Sequence, residues 1–232
     1  MNVRARRLLT ITWRRRRLKN HRFTILSNRC IGGVMTHNVG ERFRSPTVNL
    51  IIPDEAFLVF CRHVRAYADC PLEQASEAER RQFPPMRCPV GILRGVEKSL
   101  PDIPVFFLHF QSFEQAKEKW EARYRRVNYE DLFIMMDCKL NASDTLLDAF
   151  HQLPFEHKII FSDRDDPQRW PCNFPYSFYL RGVGGLYAPI RRGLLEFQGI
   201  DEFDYVQWLN DGTIRRTDIR LQEEGDPGHD SI

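Results

Sequence analysis

The sequence predicts a mixed α/β fold, a single three-layer α/β/α sandwich around a mostly parallel, partly mixed sheet. Three observations predict it. Short apolar runs recur at 23–27, 47–52, 89–93, 103–109, 131–137 and 157–162, each of strand length, and the first is the kind of apolar strand buried on both faces. Amphipathic stretches with capping residues separate most of them, the alternation that gives parallel strands joined by helices. The 232 residues, 42% hydrophobic and 12% aromatic, suffice for one sizeable core.

Taken in order, the first strand, 23–27, ends in the polar cluster Ser27-Asn28-Arg29-Cys30. Gly32-Gly33 then open a helix to about Val39, with Gly40 as its stop. Ser45-Pro46 marks a loop before the strand 47–52. Pro53 opens the next helix, with Asp54 and Glu55 favourable in its first turn and Phe57, Leu58, Phe60, Val64 and Tyr67 as its apolar face. Residues 69–88 are polar and Pro-rich, a surface excursion with one amphipathic turn. The strands 89–93 and 103–109 lie close enough in sequence to form an antiparallel hairpin, which makes the sheet mixed. Ser112 caps a helix to about Arg126, with Gln115 placed for a capping box. The strand 131–137 follows, then a helix capped by Asn141 or Ser143, then the strand 157–162. Residues 163–175 read as a polar loop, 176–200 as an ambiguous segment whose start, Tyr176–Leu180, is compatible with a helix broken by Gly182-Val183-Gly184-Gly185, and 203–209 as a short closing helix. The domain therefore spans 23–210, between a basic arm at 1–22 and a polar tail at 211–232.

The charge is divided unevenly. The first 22 residues carry nine Lys and Arg and no acidic residue; the remainder has 25 basic against 31 acidic residues, a net of about −6. A mildly acidic body is a poor nucleic-acid binder, so no nucleic-acid partner is expected. Only Leu8 to Trp13 separates the arm's basic clusters, too short for a secretory signal. The arm reads either as a contact to an anionic membrane surface, aided by Leu8, Leu9, Ile11, Trp13 and Leu18, or as a leader outside the fold. No apolar run is long enough to span a bilayer. The six cysteines show no metal-ligand spacing, so neither a metal nor another cofactor is expected, and the thiols fit a reducing cytoplasm. The expected location is cytoplasmic, peripheral on the inner membrane surface where the arm makes that contact.

Polar residues collect where the apolar strands end: Ser27, Asn28 and Cys30, then His109, then Asp137, then Ser162 and Asp163. In parallel strands these ends share one edge, where open α/β sheets bind ligands. Cys30 near a helix start is a candidate nucleophile, with His109 as base, Asp137 orienting it, and Gly32 and Gly33 offering N–H groups to an oxyanion. The plain alternatives are a buried hydrophobic thiol and a core histidine. Asn28 either binds substrate or fixes the Cys30 loop. Lys119, Arg123 and Arg126 share one helix face and are candidates for holding an anionic ligand, although Glu118 and Glu121 also fit an ordinary solvated face. Asp163-Arg164-Asp165-Asp166 offers a D-x-D pair for a cation or, equally, a surface loop. Walker, GxGxxG and HExxH patterns are absent.

The segments SNRCIGG, SPTVNLII, CPVG and HFQSFEQAKEKWEARYRRVN, with Leu153-Pro154, resemble in order and spacing a bacterial domain of unknown function whose members are commonly labelled exopolysaccharide biosynthesis proteins. The family usually has an aromatic where this chain has Ile31. The resemblance implies an α/β/α fold and a link to surface-polysaccharide assembly. Two roles follow: a transferase or hydrolase on a glycan or nucleotide-sugar-like precursor, or a non-catalytic accessory protein that binds such a precursor or a partner protein. The segment around Ser27, Asn28 and Cys30, up to Ser45-Pro46, is also similar over its short length to papain-like cysteine enzymes of bacteria.

Overall fold

The computed structural model describes residues 11–96, 100–138, 143–162 and 203–215, together with the backbone of three further short strands at 177–179, 188–189 and 195–196. The fold is mixed α/β. A helix, α1, spans 11–17, and β1 (Thr24–Ser27) leads into α2 (Ile31–Val39). After α3 (Asp54–Arg62) and a 3-10 turn come β2 (Leu72–Gln74), α4 (Glu77–Arg80), β3 (Val90–Leu93) and β4 (Ile103–Phe106). The chain continues through α5 (Phe113–Tyr124), β5 (Leu132–Asp137), α6 (Asp144–His151) and β6 (His157–Ser162). Then follow β7 (Ser177–Tyr179), β8 (Ala188–Pro189), β9 (Leu195–Glu196) and α7 (Tyr205–Asp211).

Where the sequence predicts one partly mixed sheet, the strands divide. β1, β5, β6 and β7 pair in that order, all parallel, while β2, β3 and β4 form a separate antiparallel sheet and β8 pairs with β9. Alternation of side chains along each strand explains the two large cores. Ile25, Phe133, Met135, Ile159 and Phe161 pack with Ile31 and Met35 of α2 and Trp208 of α7. Leu26, Ile134, Met136 and Ile160, one residue out of step with them, pack with α3, α5, α6 and the antiparallel sheet.

Residues 47–52 are mostly buried but do not form the expected strand, because Asn49 adopts a left-handed φ of 67° that interrupts extended backbone. Ile51 makes a single bridge there, antiparallel to Phe106. The polar stretch 69–88 contains the short strand β2, whose single buried residue, Leu72, gives no period-two signal. The segment around 176–180 contributes β7 rather than a helix.

The largest correction concerns the basic arm. Its second half is part of the fold. Leu18 is 5% exposed and lies in the core beside Phe23 and α7. Arg14 is buried with its guanidinium 4.6 Å from the centre of the Tyr205 ring. Arg17 makes a two-pronged contact to the buried Asp204 at 3.0 and 2.7 Å, and Arg215 reaches the same carboxylate at 3.1 Å. Asn210 closes the junction by accepting from the Lys19 amide and donating to the Arg17 carbonyl. Arg14 and Arg17 serve long-range pairing, which no local pattern reveals. The same pairing draws the start of the expected tail, through Arg215, onto the fold.

Candidate functional site

The C-terminal edge of the parallel sheet gathers the residues that follow β1 and β5. The central one is Asn28, fully buried. Its side chain accepts from the Asp137 amide (2.9 Å) and donates to the Asp137 carbonyl (3.1 Å) and to Asp54 Oδ1 (2.8 Å). The parallel register that sets Ser27 against Met135 brings Asn28 to the end of β5. Pro53 opens α3 so that Asp54, in its first turn, faces the same point. Ile52 donates to the Asn28 carbonyl at 3.0 Å, and so the segment 50–54 is tied across the end of β1.

On this clamp stands a partly exposed pair of opposite charges. Arg29 donates through Nε to the Asp137 carbonyl at 3.1 Å, with Nη2 3.6 Å from Asp54 Oδ1 and Nε 4.0 Å from Asp137 Oδ2. The Arg29 and Asp54 side chains are each 23% exposed, whereas Asp137 is 1% exposed. Burial raises the Asp54 carboxyl above the ordinary carboxylate range, against the opposing pull of Arg29 and the Asn28 amide.

That shift has a consequence for stability. An acid whose value is raised on folding favours the folded state while protonated. Its contribution is fully present below the unfolded value, about 4, and is lost as pH rises through the folded value. Asp54→Asn keeps an oxygen for the Asn28 amide and removes the charge. It is expected to melt a few degrees above the wild type at pH 7, with the gap closing below about pH 4. Melting curves across pH check this, and a lower melting temperature at neutral pH would count against it.

The other residues expected from sequence have different surroundings. Cys30 precedes α2, but its thiol donates to the Leu50 carbonyl at 3.8 Å, and burial pushes it above the ordinary thiol value despite the helix start and Arg29. The helix position therefore does not activate it. His109 is exposed in the turn after β4, which belongs to the antiparallel sheet, and among the described residues no hydrogen bond joins it to Cys30. Gly32 gives its N–H to the Ser27 hydroxyl at 3.2 Å, and Ser27 in turn donates to the Arg29 carbonyl.

Both glycines serve close packing. A Cβ on Gly32 would meet Ile25 and Ser27 at 2.8 Å, and one on Gly33 would meet Val48 at 2.9 Å. Arg123 is buried, donates to the Val48 carbonyl, and lies over Phe43 and Phe110. Arg126 donates to the Ala122 and Phe43 carbonyls, and Lys119 faces Glu118 at 3.5 Å. The expected anion-binding face is thus mostly committed to holding the 43–48 loop on α5. Ser162 ends β6 at the same sheet edge as Asp137, and Asp163 and the acidic run after it lie outside the described residues.

Sequence reasoning misses Arg29 and treats Asp54 only as a favourable charge at a helix start. A usable signal is present: Asp54 is the first ionisable residue after the apolar run ending at Ile52, as Asp137 is after Met136. Among the described residues no group of three His, Cys, Asp or Glu is arranged to hold a metal ion, and no helix is long and apolar enough to cross a membrane.

The sequence model of a domain of unknown function (DUF1919) matches residues 2–210. The chain belongs to the DUF1919 family. The match takes in α1 as well as β1 to α7, consistent with a domain that begins before Phe23. An uncharacterized protein of Haemophilus influenzae is 30% identical over 207 residues, spanning 84% of this chain and 87% of the relative.

Proposed function

We propose that this DUF1919 protein binds a precursor of a surface polysaccharide at the C-terminal edge of its parallel sheet, as a transferase or hydrolase in which Asp54 moves the proton. Arg29 holds an acidic group of the sugar or its phosphate by charge and paired N–H donors. The observation that carries the reading is the Arg29–Asp54 pair, partly exposed and fixed by buried Asn28 to the backbone of Asp137. A carboxyl raised above its ordinary range is suited to give a proton to a leaving oxygen or take one from an attacking hydroxyl. The substrate class comes from the sequence resemblance to proteins labelled for exopolysaccharide biosynthesis. The surroundings of Cys30 favour a protonated thiol with a packing role, so the cysteine carries no step here. An accessory protein that only binds the precursor would use the same edge without the proton transfer.

Calorimetry with a nucleotide-linked uronic acid, the matching neutral hexose and the free nucleotide tests this. The acidic sugar is expected to bind most tightly. Arg29→Ala is expected to weaken it about 10- to 100-fold, the loss of one charged contact. Asp54→Asn is expected to retain binding and abolish release of the sugar from the nucleotide, and Cys30→Ala to change neither. Unchanged binding by Arg29→Ala would overturn the edge assignment. Absence of turnover in the wild type, with binding intact, would leave the accessory role.

A further inference from the structure

The opposite end of the parallel sheet carries a cluster of arginines that the fold brings together and neutralises only in part. Crossover helices run against their strands, so α2 and α5 both end at the N-terminal edge, away from Asn28. Gly40 turns the chain out of α2 with a left-handed φ of 79°. The next residues, 41–45, dock on the end of α5, where Arg126 Nη1 donates to the Phe43 carbonyl at 2.8 Å and Arg123 stacks on the Phe43 ring. Arg42 and Arg44, on either side of Phe43, are therefore brought near Arg126 and, with Arg125, are close enough for their charges to act on it. Arg15 of α1 lies against Gly40 close by, its Nε 2.8 Å from where a Cβ would stand.

Several other surface arginines are paired: Arg65 holds Glu130 at 2.7 Å, and Arg94 holds Glu73, Glu79 and Asp102. Here Arg42, Arg125 and Arg15 have no acidic partner among the described residues. Arg126 gives Nε and Nη1 to carbonyls, neither of which offsets its charge, and its pKa is held down by burial and then by the like charges of Arg42, Arg125 and Arg44. Glu41 is divided between His21 at 2.7 Å and Arg44 at 3.4 Å. Glu121, one turn before Arg125, makes no ion pair with it among the described contacts.

We propose that Arg42, Arg44, Arg125 and Arg126 form a binding site for a phosphoryl group, with Arg15 at its margin. A doubly charged phosphoryl group has several oxygens for guanidinium forks and offsets the repulsion among four clustered cations, which a single carboxylate does less well. Two sources carry that chemistry: a soluble phosphate ester or pyrophosphate, and the headgroup of an anionic lipid. The site is separate from the Arg29–Asp54 pair, so loss of either leaves the other open to measurement.

The probes are inorganic pyrophosphate, followed by calorimetry at low salt, and phosphatidylcholine vesicles with and without phosphatidic acid, followed by co-sedimentation. Wild-type protein is expected to bind at least one of them, more weakly as salt rises. Arg42→Glu with Arg125→Glu is expected to reduce that binding at least tenfold at an unchanged melting temperature, since both side chains are exposed and unpaired. Arg42→Gln with Arg125→Gln serves the same comparison should the charge reversal disturb folding, and Arg65→Glu should have no effect. Loss of pyrophosphate binding identifies a soluble ligand, and loss of vesicle binding alone identifies a headgroup. Binding of neither probe by the wild type, or equal binding by the double variants, would overturn the proposal.

Discussion

Deletion of residues 1–20 is expected to destabilise the protein by about 5 kcal/mol or more, roughly 10–20 °C in melting temperature for a chain of this size. Two losses dominate. Leu18 leaves a hole in the cluster it shares with Phe23, Val206 and Leu209, a change that costs about 2–4 kcal/mol for a buried leucine. Asp204 loses both prongs of Arg17 while staying buried, with Arg215 as its remaining arginine partner in the described structure. Stranding part of a buried ion pair costs about 3 kcal/mol. Burial alone would raise Asp204, but hydrogen bonds from Arg17 and the Gln207 amide leave it below the ordinary carboxylate value. A depressed acid stabilises the fold above its unfolded value, near about 4, and that contribution fades as pH falls through the folded value. Urea melts of the truncated chain, of Leu18→Ala and of Arg17→Met measure these contributions. A truncated protein that melts like the intact chain would show α1 to be dispensable.

Asn28→Ala is the point substitution expected to cost most at the candidate site, about 3 kcal/mol. Alanine removes one acceptor and two donor contacts at once. It takes the Asn28 acceptor from the Asp137 amide in the buried end of β5, removes one of the two side-chain donors to the Asp137 carbonyl, and takes the Asn28 amide away from Asp54. Ligand binding is expected to fall with it, because Arg29 and Asp54 lose the element that sets their relative position. Gly32→Ala offers a contrast. It presses a methyl group into Ile25 and Ser27, so stability is expected to fall while the charged pair keeps its partners. Chemical denaturation of Asn28→Ala, with binding measured on the folded fraction, separates loss of fold from loss of site.

Much of the parallel sheet is legible in the sequence because its signals are local. The β1, β5 and β6 runs are continuous apolar segments of strand length, and Ser112 and Ser143 cap their helices as their types suggest. The segment 47–52 misleads because its apolar residues are buried by a turn at Asn49, and periodicity reports burial without reporting φ. Helix α1 misleads for the opposite reason. Its sequence is dominated by arginine, and the partners that make those charges structural, Asp204 and Tyr205, lie nearly the whole chain away.

At the site, the rule that strand ends collect polar residues places Asn28 and Asp137 correctly on one edge. It gives no means of seeing that β4 belongs to another sheet, and so it groups His109 with them. The face shared by Lys119, Arg123 and Arg126 reads as free charge, yet Arg123 and Arg126 are occupied by the carbonyls of a loop brought in from residues 43–48. Side-chain chemistry is visible in the sequence; the backbone that consumes it is not.

Mapping of amide chemical shifts on addition of the tightest-binding sugar tests the edge assignment most directly. The expected result is a footprint over residues 27–30, 54–55 and 136–138, much weakened in Arg29→Ala at the same ligand concentration. A footprint centred instead on the open groove at the opposite end of the sheet, around Lys19, His21, Asn128 and Asp131, with residues 27–30 unmoved, would contradict it.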